Sequence, residues 1–233
     1  MKHDVGFLSV ATAVPPHAIS QRDAASAAHR GFAARYPDFE RLVKVFDTSM
    51  IRTRHLVRPL EWYFAPLGWE DRNAAYLDGA TRLFVDAAKA ALDRAGVLAA
   101  EIDCVVTVSS TGIATPSLEA RAAIEMGFRP DIERVPVFGL GCAGGVAGLA
   151  IGAKMARATP GSKVLVVAVE LCSVAFRMDK LTKENIVATA LFADGAAACV
   201  LGAGRDILAT VEMSGQHTWP DTLNIMGWDV DAT

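Results

Sequence analysis

Apolar and polar residues follow two different periods along this chain, and the two periods predict strands and helices in alternation. Mostly apolar runs that are rich in β-branched side chains are typical of strands buried on both faces. Such runs occupy residues 6–14, 104–108, 135–140, 164–169, 196–201 and 207–214. The sequence therefore predicts a sheet with little solvent-facing surface.

The second period is helical and fills most of the space between these runs. Residues 77–95 carry apolar side chains at helical spacing and are followed by Gly96, a common helix stop. Ser20, with Asp23 three positions later, predicts the start of a helix that runs to about Arg30. Further helices are predicted around residues 118–126, which Gly127 ends, and over residues 143–156 and 183–192.

Strands that alternate with helices indicate an α/β layered fold around a buried sheet. No linker rich in Pro, Gly or Ser divides residues 1–233, so a single domain is expected. Asp194-Gly195 is interpreted as a turn before the strand at residues 196–201. Residues 51–59 form a charged, extended segment, which is interpreted either as solvated surface or as an anion site.

The strongest candidate for chemistry is Cys142, which lies where a predicted buried strand turns into a predicted helix. Residues 139–145 read Gly-Leu-Gly-Cys-Ala-Gly-Gly, so glycines stand on both sides of the thiol. The unpaired N–H groups and the dipole of a helix N-terminus favour a thiolate, and such a turn presents a nucleophile. The alternative is a structural cysteine packed by its glycines, as expected for Cys104 and Cys199 inside their apolar strands.

Composition narrows the classes of protein. Hydrophobic residues make up 52% of the 233 residues, charged residues 21%, and the mean hydropathy is +0.28. These values fit several buried elements, or a fragment without the surface on which its apolar faces pack. No apolar run is long enough to span a bilayer, so no membrane partner is expected. The net charge of −3 is spread along the chain, which argues against a nucleic-acid partner.

Cysteine spacing and the N-terminus indicate the compartment. The four cysteines form no Cys-x-x-Cys or Cys/His pattern, so no metal site is expected. Sparse cysteines in apolar runs suit a reducing, cytoplasmic environment. Residues 5–14 are interpreted as a first strand rather than a signal peptide, because Asp4 offsets the charge of Lys2.

Several short motifs occur together in one order along nearly the whole chain. They are Ser49-Met50-Ile51-Arg52, Thr111-Gly112 before Pro116, Gly141-Cys142 with Gly144-Gly145, Lys163-Val164-Leu165-Val166-Val167 with Glu170, Ala190-Leu191-Phe192, Asp194-Gly195-Ala196-Ala197-Ala198 and Met226-Gly227-Trp228-Asp229. In this order the sequence resembles the N-terminal half of a type III polyketide synthase, the chalcone synthase-like branch of the thiolase fold. The glycine spacing around Cys142 is closer to the bacterial members.

The resemblance implies one half of the layered αβαβα architecture and a set of roles. Cys142 matches the nucleophile that takes a starter acyl group from CoA and holds the growing polyketide. Phe192 matches a gatekeeper between the CoA tunnel and the cavity, although such a residue is also a common core aromatic. Thr115 matches a residue that reaches into the cavity of a partner subunit.

Other matching positions concern the cavity and CoA. Glu170, Cys172 and Ala175 match cavity-lining positions, and the small Cys172 and Ala175 would suit a longer, more apolar starter; both are also plausible core or turn residues. Two basic residues, Arg41 and Lys44, match contacts to CoA phosphates or else belong to a solvated face. The third basic position of the family is Thr48 here, which leaves Arg52 or Arg54 as candidates to replace it.

The resemblance also implies what this stretch of sequence lacks. The histidine and asparagine that support decarboxylation in the family lie in the C-terminal half, and none of the five histidines here stands in a matching context. We therefore expect no condensation by the isolated chain, a homodimer, and acyl-CoA and malonyl-CoA as substrates without a cofactor. The alternatives are a ketoacyl-carrier-protein synthase III, a hydroxymethylglutaryl-CoA synthase, or a non-catalytic acyl-CoA-binding or dimerisation module.

Overall fold

The computed structural model of the chain describes residues 4–204 and 207–227. The strands are β1 (Gly6–Ala13), β2 (His17–Ser20), β3 (Thr53–Leu56), β4 (Cys104–Val108), β5 (Glu133–Val137), β6 (Val164–Leu171) and β7 (Asp194–Gly202). The helices are α1 (Gln21–Phe32), α2 (Phe39–Leu42), α3 (Lys44–Thr48), α4 (Trp69–Ala95), α5 (Leu118–Met126), α6 (Gly144–Ala158) and α7 (Lys183–Leu191). This alternation gives a mixed α/β fold, as the sequence predicts.

A five-stranded sheet in the order β1-β7-β6-β4-β5 forms the centre. Its β5, β4 and β6 strands run parallel, and β7 runs antiparallel between β6 and β1. Parallel neighbours need crossover connections, and α5 and α6 supply them between β4, β5 and β6. The carboxyl ends of the three parallel strands therefore meet at one edge of the sheet.

Helices cover both faces of this sheet. The long α4, with α5 beside it, packs on one face through side chains such as Leu83 and Phe84, which are 3% and 0% exposed. The other face packs against α6, where Val106 and Val166 contact Ala153. Side chains that alternate along a strand point to opposite faces, so Val105 belongs to the first core and Val106 to the second.

Three glycines bring α6 unusually close to the sheet. Gly144, Gly148 and Gly152 lie four residues apart on the face of α6 that meets the strands. A Cβ atom at any of them would lie 2.5–2.6 Å from a methyl carbon of Val108 or Val166. Such a distance is shorter than any ordinary carbon contact. The glycine ridge, as we call these three residues, therefore sets the position of α6 and of the turn before it.

A smaller layer stands beside the sheet. The hairpin of β2 and β3 packs with α1, α2, α3 and α7 around Phe32, Phe39, Phe46 and Ile186, all at most 2% exposed. Helix α1 starts after Ser20 as predicted, and Ser20 and Asp23 form a capping box there. Residues 39–50 form the two short helices α2 and α3, each of which exposes its polar side chains.

Some predicted elements differ in the structure. The run at residues 135–140 was expected to be a fully buried strand, but β5 covers Glu133–Val137, lies at the edge of the sheet and is half exposed. Asp194-Gly195 opens β7 rather than forming a turn, because Asp194 pairs with Leu171. Residues 207–214 form only an isolated bridge, between Thr210 and Gly6.

Two further observations concern the chain as a whole. Within the described ranges, no helix is both long and apolar enough to cross a bilayer. The end of the last motif, Trp228-Asp229, lies outside the described residues.

Candidate functional site

Cys142 occupies a 3-10 turn, Gly141–Ala143, directly before the first residue of α6. Its side chain is exposed, as the strand-turn-helix prediction requires. Gly139 and Gly141 have φ angles of 83° and 50°, a left-handed region that side chains with a Cβ rarely adopt. A Cβ at Gly139, Gly141 or Gly145 would meet no atom within 4 Å beyond its chain neighbours, so there is open space beside the backbone of the turn.

The N-terminus of α6 favours a negative charge beside this thiol. Its N-cap, Ala143, makes no side-chain cap hydrogen bond. The first N–H groups of a helix have no partner within the helix, and the helix dipole adds positive potential there. An oxyanion formed on a carbonyl that Cys142 attacks would lie close to these N–H groups.

Glu170 lies at the same edge of the sheet, close to the end of β6. Its carboxylate accepts hydrogen bonds from the main-chain N–H of Ser110 at 3.0 and 3.1 Å. The Thr111 hydroxyl accepts from the N–H of Leu171 at 2.8 Å. Burial raises the pKa of Glu170, and the bonds from Ser110 and Thr111 oppose that rise. These bonds join the carboxyl ends of β4 and β6, the edge to which the Cys142 turn also belongs.

Cys172 follows β6 in the 3-10 turn Cys172–Ala175 and is half-buried. Burial is the main cause that raises the pKa of its thiol to about 12, and electrostatic interactions with Glu170, Asp194 and Cys142 contribute to that value. These four groups therefore lie within electrostatic range of one another. Because the Cys172 thiol stays neutral at physiological pH, it does not compete as a nucleophile.

The other predicted cavity residues lie on exposed positions around this edge. Phe192 directly follows α7 as its C-cap and is 37% exposed, so it is not a core aromatic. Ala175 is exposed at the end of the Cys172 turn, and Thr115 is exposed in the loop before α5. Because Asp194 pairs with Leu171, Phe192 lies only two residues from the strand pair that leads into Cys172.

The predicted CoA contacts divide into exposed and buried side chains. Arg41 on α2 and Lys44 on α3 are exposed, and neither takes part in an ion pair among the described residues. Thr48, at the third position, donates to the carbonyl of Lys44 at 3.1 Å. The suggestion that Arg54 replaces this contact is wrong, because Arg54 is only 3% exposed and donates to internal acceptors. Arg52 is exposed.

Sequence reasoning missed a buried polar network behind the Cys172 turn. Asp194 accepts from the N–H and the hydroxyl of Ser173 at 2.8 and 2.5 Å, and from the N–H of Val57 at 2.7 Å. The Tyr63 hydroxyl lies 2.6 Å from that of Ser173. An aspartate at the start of an otherwise apolar run was the available signal, since a buried carboxylate needs several donors. The network fixes the turn that carries Cys172.

Comparison with known proteins agrees with this geometry. Residues 2–205 match the model of the N-terminal domain of chalcone and stilbene synthases. The chain is 40% identical to 1,3,6,8-tetrahydroxynaphthalene synthase of Streptomyces peucetius subsp. caesius, over 97% of this chain and 61% of that protein. It is 36% identical to a putative chalcone synthase of Bacillus subtilis, over 96% of this chain and 65% of that protein. The chain thus spans less than two thirds of these relatives.

Solved structures give the same result. Tetrahydroxynaphthalene synthase from Streptomyces coelicolor A3(2), a bacterial type III polyketide synthase, superposes with a TM-score of 0.91 at 32% identity, covering 98% of this chain and 65% of that one. The type III polyketide synthase domain of Steely1 from Dictyostelium gives 0.89 at 30% identity, with 98% and 66% covered. The chain therefore has the thiolase-like fold of these enzymes, and it belongs to the chalcone and stilbene synthase family, whose N-terminal domain it matches.

Proposed function

We propose that this chain is the nucleophile-bearing half of a type III polyketide synthase. In this proposal Cys142 accepts an acyl starter from CoA for decarboxylative condensation with malonyl-CoA. The observation that carries it is the exposed Cys142 thiol, held in a glycine turn at the uncapped N-terminus of α6. Membership of the chalcone synthase family favours this function over a ketoacyl-carrier-protein synthase.

The chemical step is an exchange of thioesters. The Cys142 thiolate attacks the carbonyl carbon of the acyl-CoA, and a tetrahedral oxyanion forms. When the oxyanion collapses, the bond to the CoA sulfur breaks, and CoA leaves as a thiolate that takes a proton from solvent. One thioester replaces another, so the step needs little driving force, and the α6 N-terminus faces the developing negative charge.

The surrounding residues receive supporting roles in the same proposal. Exposed Phe192 gates the entrance, and Glu170, Cys172 and Ala175 line the acyl cavity. The small Cys172 and Ala175 leave room for an extended apolar starter. Arg41 and Lys44 hold CoA phosphates, which suits two exposed cations without ion-pair partners among the described residues. Thr115 contributes to the cavity of a second copy.

We also propose that condensation needs the second half of the fold. The family's histidine and asparagine belong to that half, and CoA thioesters serve as substrates without a further cofactor. In this proposal, acylation of Cys142 depends only on the N-terminal half, whereas decarboxylation of malonyl-CoA needs the second half as well. A cytoplasmic homodimer is the state in which we expect the protein to act.

Selective alkylation of Cys142 tests the proposal. We expect iodoacetamide to modify Cys142 before the other three thiols, because burial raises the pKa values of Cys104 to about 11 and of Cys172 and Cys199 to about 12. Long-chain acyl-CoA should slow this reaction by about tenfold or more at saturation. Peptide mass spectrometry after timed quenching gives the rate at each cysteine.

Cys142→Ser provides the control, since it should leave only slow labelling of the remaining thiols. Free CoA and the free fatty acid, added separately, show whether both parts of the thioester are needed. Equal, slow labelling of all four cysteines, unaffected by acyl-CoA, would contradict an acyltransferase and favour a module that only binds or dimerises.

A further inference from the structure

Arg54 is a buried cation whose partners are main-chain carbonyls rather than a carboxylate. Its guanidinium donates to Gln21 Oε1 at 2.7 Å, to the Phe192 carbonyl at 3.1 Å, and to the carbonyls of Thr189 and Ala190. None of the ion pairs among the described residues includes it. A guanidinium leaves water at a large free-energy cost unless its donors are satisfied, so this fully bonded position is a built feature.

The acceptors of Arg54 explain why a cation is stable there. Thr189 and Ala190 belong to the last turn of α7, whose carbonyls have no partner within the helix. The helix dipole makes this end negative, and a positive side chain stabilises it. Burial lowers the pKa of Arg54 to about 10, so the group remains charged at physiological pH. Arg54 therefore acts as a C-terminal cap of α7 and extends that cap to Phe192.

Gln21 continues the same unit towards a different helix. Its Nε2 atom donates to the Phe46 carbonyl at 3.2 Å, to Ser49 Oγ at 3.0 Å and to the Ala190 carbonyl at 3.2 Å. Phe46 lies in α3 and Ser49 follows its last residue. Gln21 is 8% exposed, so these bonds are shielded from water. The side chains of Arg54 and Gln21 thus join the end of α3 to the end of α7.

Each of these two ends leads to a different part of the proposed site. Helix α3 begins with Lys44, a proposed CoA contact, and Phe192, the proposed gate, directly follows α7. We propose that Arg54 and Gln21 are a positioning pair that couples the CoA-binding segment to the Phe192 gate. Neither residue touches the substrate in this proposal, which rests on the function proposed above. It explains why an arginine of the charged segment at residues 51–59 is buried.

The test compares two thioesters that differ in reach. An acyl-CoA extends to the phosphate contacts, whereas the N-acetylcysteamine thioester of the same acyl group carries no nucleotide. Arg54→Met keeps the length of the side chain and removes every donor. We expect it to raise the acyl-CoA concentration that half-protects Cys142 from iodoacetamide by about tenfold, since small misplacements weaken positioned contacts strongly. For the N-acetylcysteamine thioester we expect a change below about twofold.

Arg35→Met is the matched control. Arg35 also donates to main-chain carbonyls, those of Gly31 and Met178, but it lies at the end of α1 and is exposed. Arg35→Met should leave unchanged the concentration of either thioester that half-protects Cys142 from iodoacetamide. Equal weakening of both thioesters in Arg54→Met, or the same pattern in Arg35→Met, would overturn the proposal. If Arg54→Met does not fold, Arg54→Lys keeps the charge but not the fork of donors and should show the same pattern more weakly.

Hydrogen exchange separates this proposal from the function on which it rests. Gln21→Leu removes the bonds to Phe46 and Ser49 and also those to Ala190 and Arg54. If this side chain joins the two ends, we expect faster amide exchange both at residues 46–49 and at residues 189–192. Faster exchange at residues 46–49 alone would show that the two ends are not coupled. This readout needs no substrate, so it remains decisive even if neither thioester protects Cys142, which would count against the acyltransferase instead.

Discussion

At the scale of single residues, the environment of each thiol decides its chemistry. Cys104, Cys172 and Cys199 lose water around their sulfur atoms, and that loss raises their pKa values to about 11 or 12. Cys142 is exposed and lies in the turn directly before α6. The same side chain in four environments therefore gives three unreactive thiols and one candidate nucleophile.

The sequence predicted this distinction for a local reason. Glycines on both sides of Cys142 report a turn through backbone geometry that neighbouring residues determine. The burial of Arg54 and Asp194 depends instead on residues more than a hundred positions away, such as Thr189 and Val57. Without those distant partners, the charged residues 51–59 indicate surface, and Asp194-Gly195 indicates a turn. Backbone geometry that neighbouring residues determine can be predicted from the sequence, but hydrogen bonds between distant residues cannot.

Asp194 should make stability depend on pH. Burial raises the pKa of its carboxyl to about 6, against about 3.9 in an unfolded chain. Between these values the folded state holds a proton that the unfolded state has released. Stability therefore falls as pH rises from about 4 to about 6, by at most roughly 3 kcal/mol. Urea unfolding of wild type and Asp194→Asn across pH 4–8 measures the effect, and the variant should lack this slope.

Asp179→Asn serves as the comparison for that experiment. Its bond to Arg177 lowers the pKa of Asp179 to about 2, so this carboxylate is ionised in both states above pH 5. The slope between pH 5 and pH 6 should therefore match wild type in Asp179→Asn. A slope that survives in Asp194→Asn would assign it to another group, with Glu170, whose pKa burial also raises, as the first candidate.

At the scale of elements, helices were predicted more closely than strand environments. Gly96 and Gly127 end α4 and α5 as expected, because a helix stop is a local signal. Helix α4 starts at Trp69, eight residues before the predicted start, and the Asp71 side chain accepts from the N–H of its N-cap, Gly68, at 3.1 Å. β5 begins with two charged residues and contains Pro136, a residue confined to edge strands, so its place at the edge of the sheet had a local signal that the prediction for residues 135–140 did not use.

The glycine ridge of α6 makes a prediction about packing. A side chain at Gly148 would place its Cβ 2.5 Å from a methyl carbon of Val108 and 3.4 Å from one of Val166. Gly148→Val should lower the free energy of unfolding by about 2 kcal/mol or more, since overpacking forces neighbours out of their positions. Gly145→Val, on the same helix with open space around it, should change it by less than about 0.5 kcal/mol. Urea denaturation of both variants makes the comparison.

Equal stability of the two glycine variants would mean that α6 can move away from the sheet without loss. The position of Cys142 would then depend on the turn alone rather than on the contact between α6 and the strands. Since the ridge begins at Gly144, two residues after Cys142, we expect the helix and the turn to shift together.

At the scale of the whole molecule, the fold class followed from the alternation of elements, whereas the exposed apolar surfaces did not. Phe138 and Leu140, beside Cys142, are 58% and 40% exposed, and Val146 in the first turns of α6 is 71% exposed. They adjoin β5, whose outer edge has no strand partner among the described residues. Apolar residues beside an open strand edge are typical of an interface. We expect this surface, next to Cys142, to form the interface of the proposed homodimer.

Val146→Asp tests that interface. A charge buried in a two-fold contact faces its own copy, and both charges would lose water. We therefore expect the dissociation constant of the dimer to rise by about a hundredfold or more. Sedimentation equilibrium over a range of concentrations measures the constant, and far-UV circular dichroism checks that the fold is kept. Leu98→Asp is the matched control. Leu98 is 71% exposed, like Val146, but it precedes β4 and therefore lies at the amino ends of the parallel strands, away from the carboxyl ends where Cys142 lies. A wild-type monomer, or equal dissociation in both variants, would refute this interface, because only a contact at the Cys142 edge separates the two substitutions.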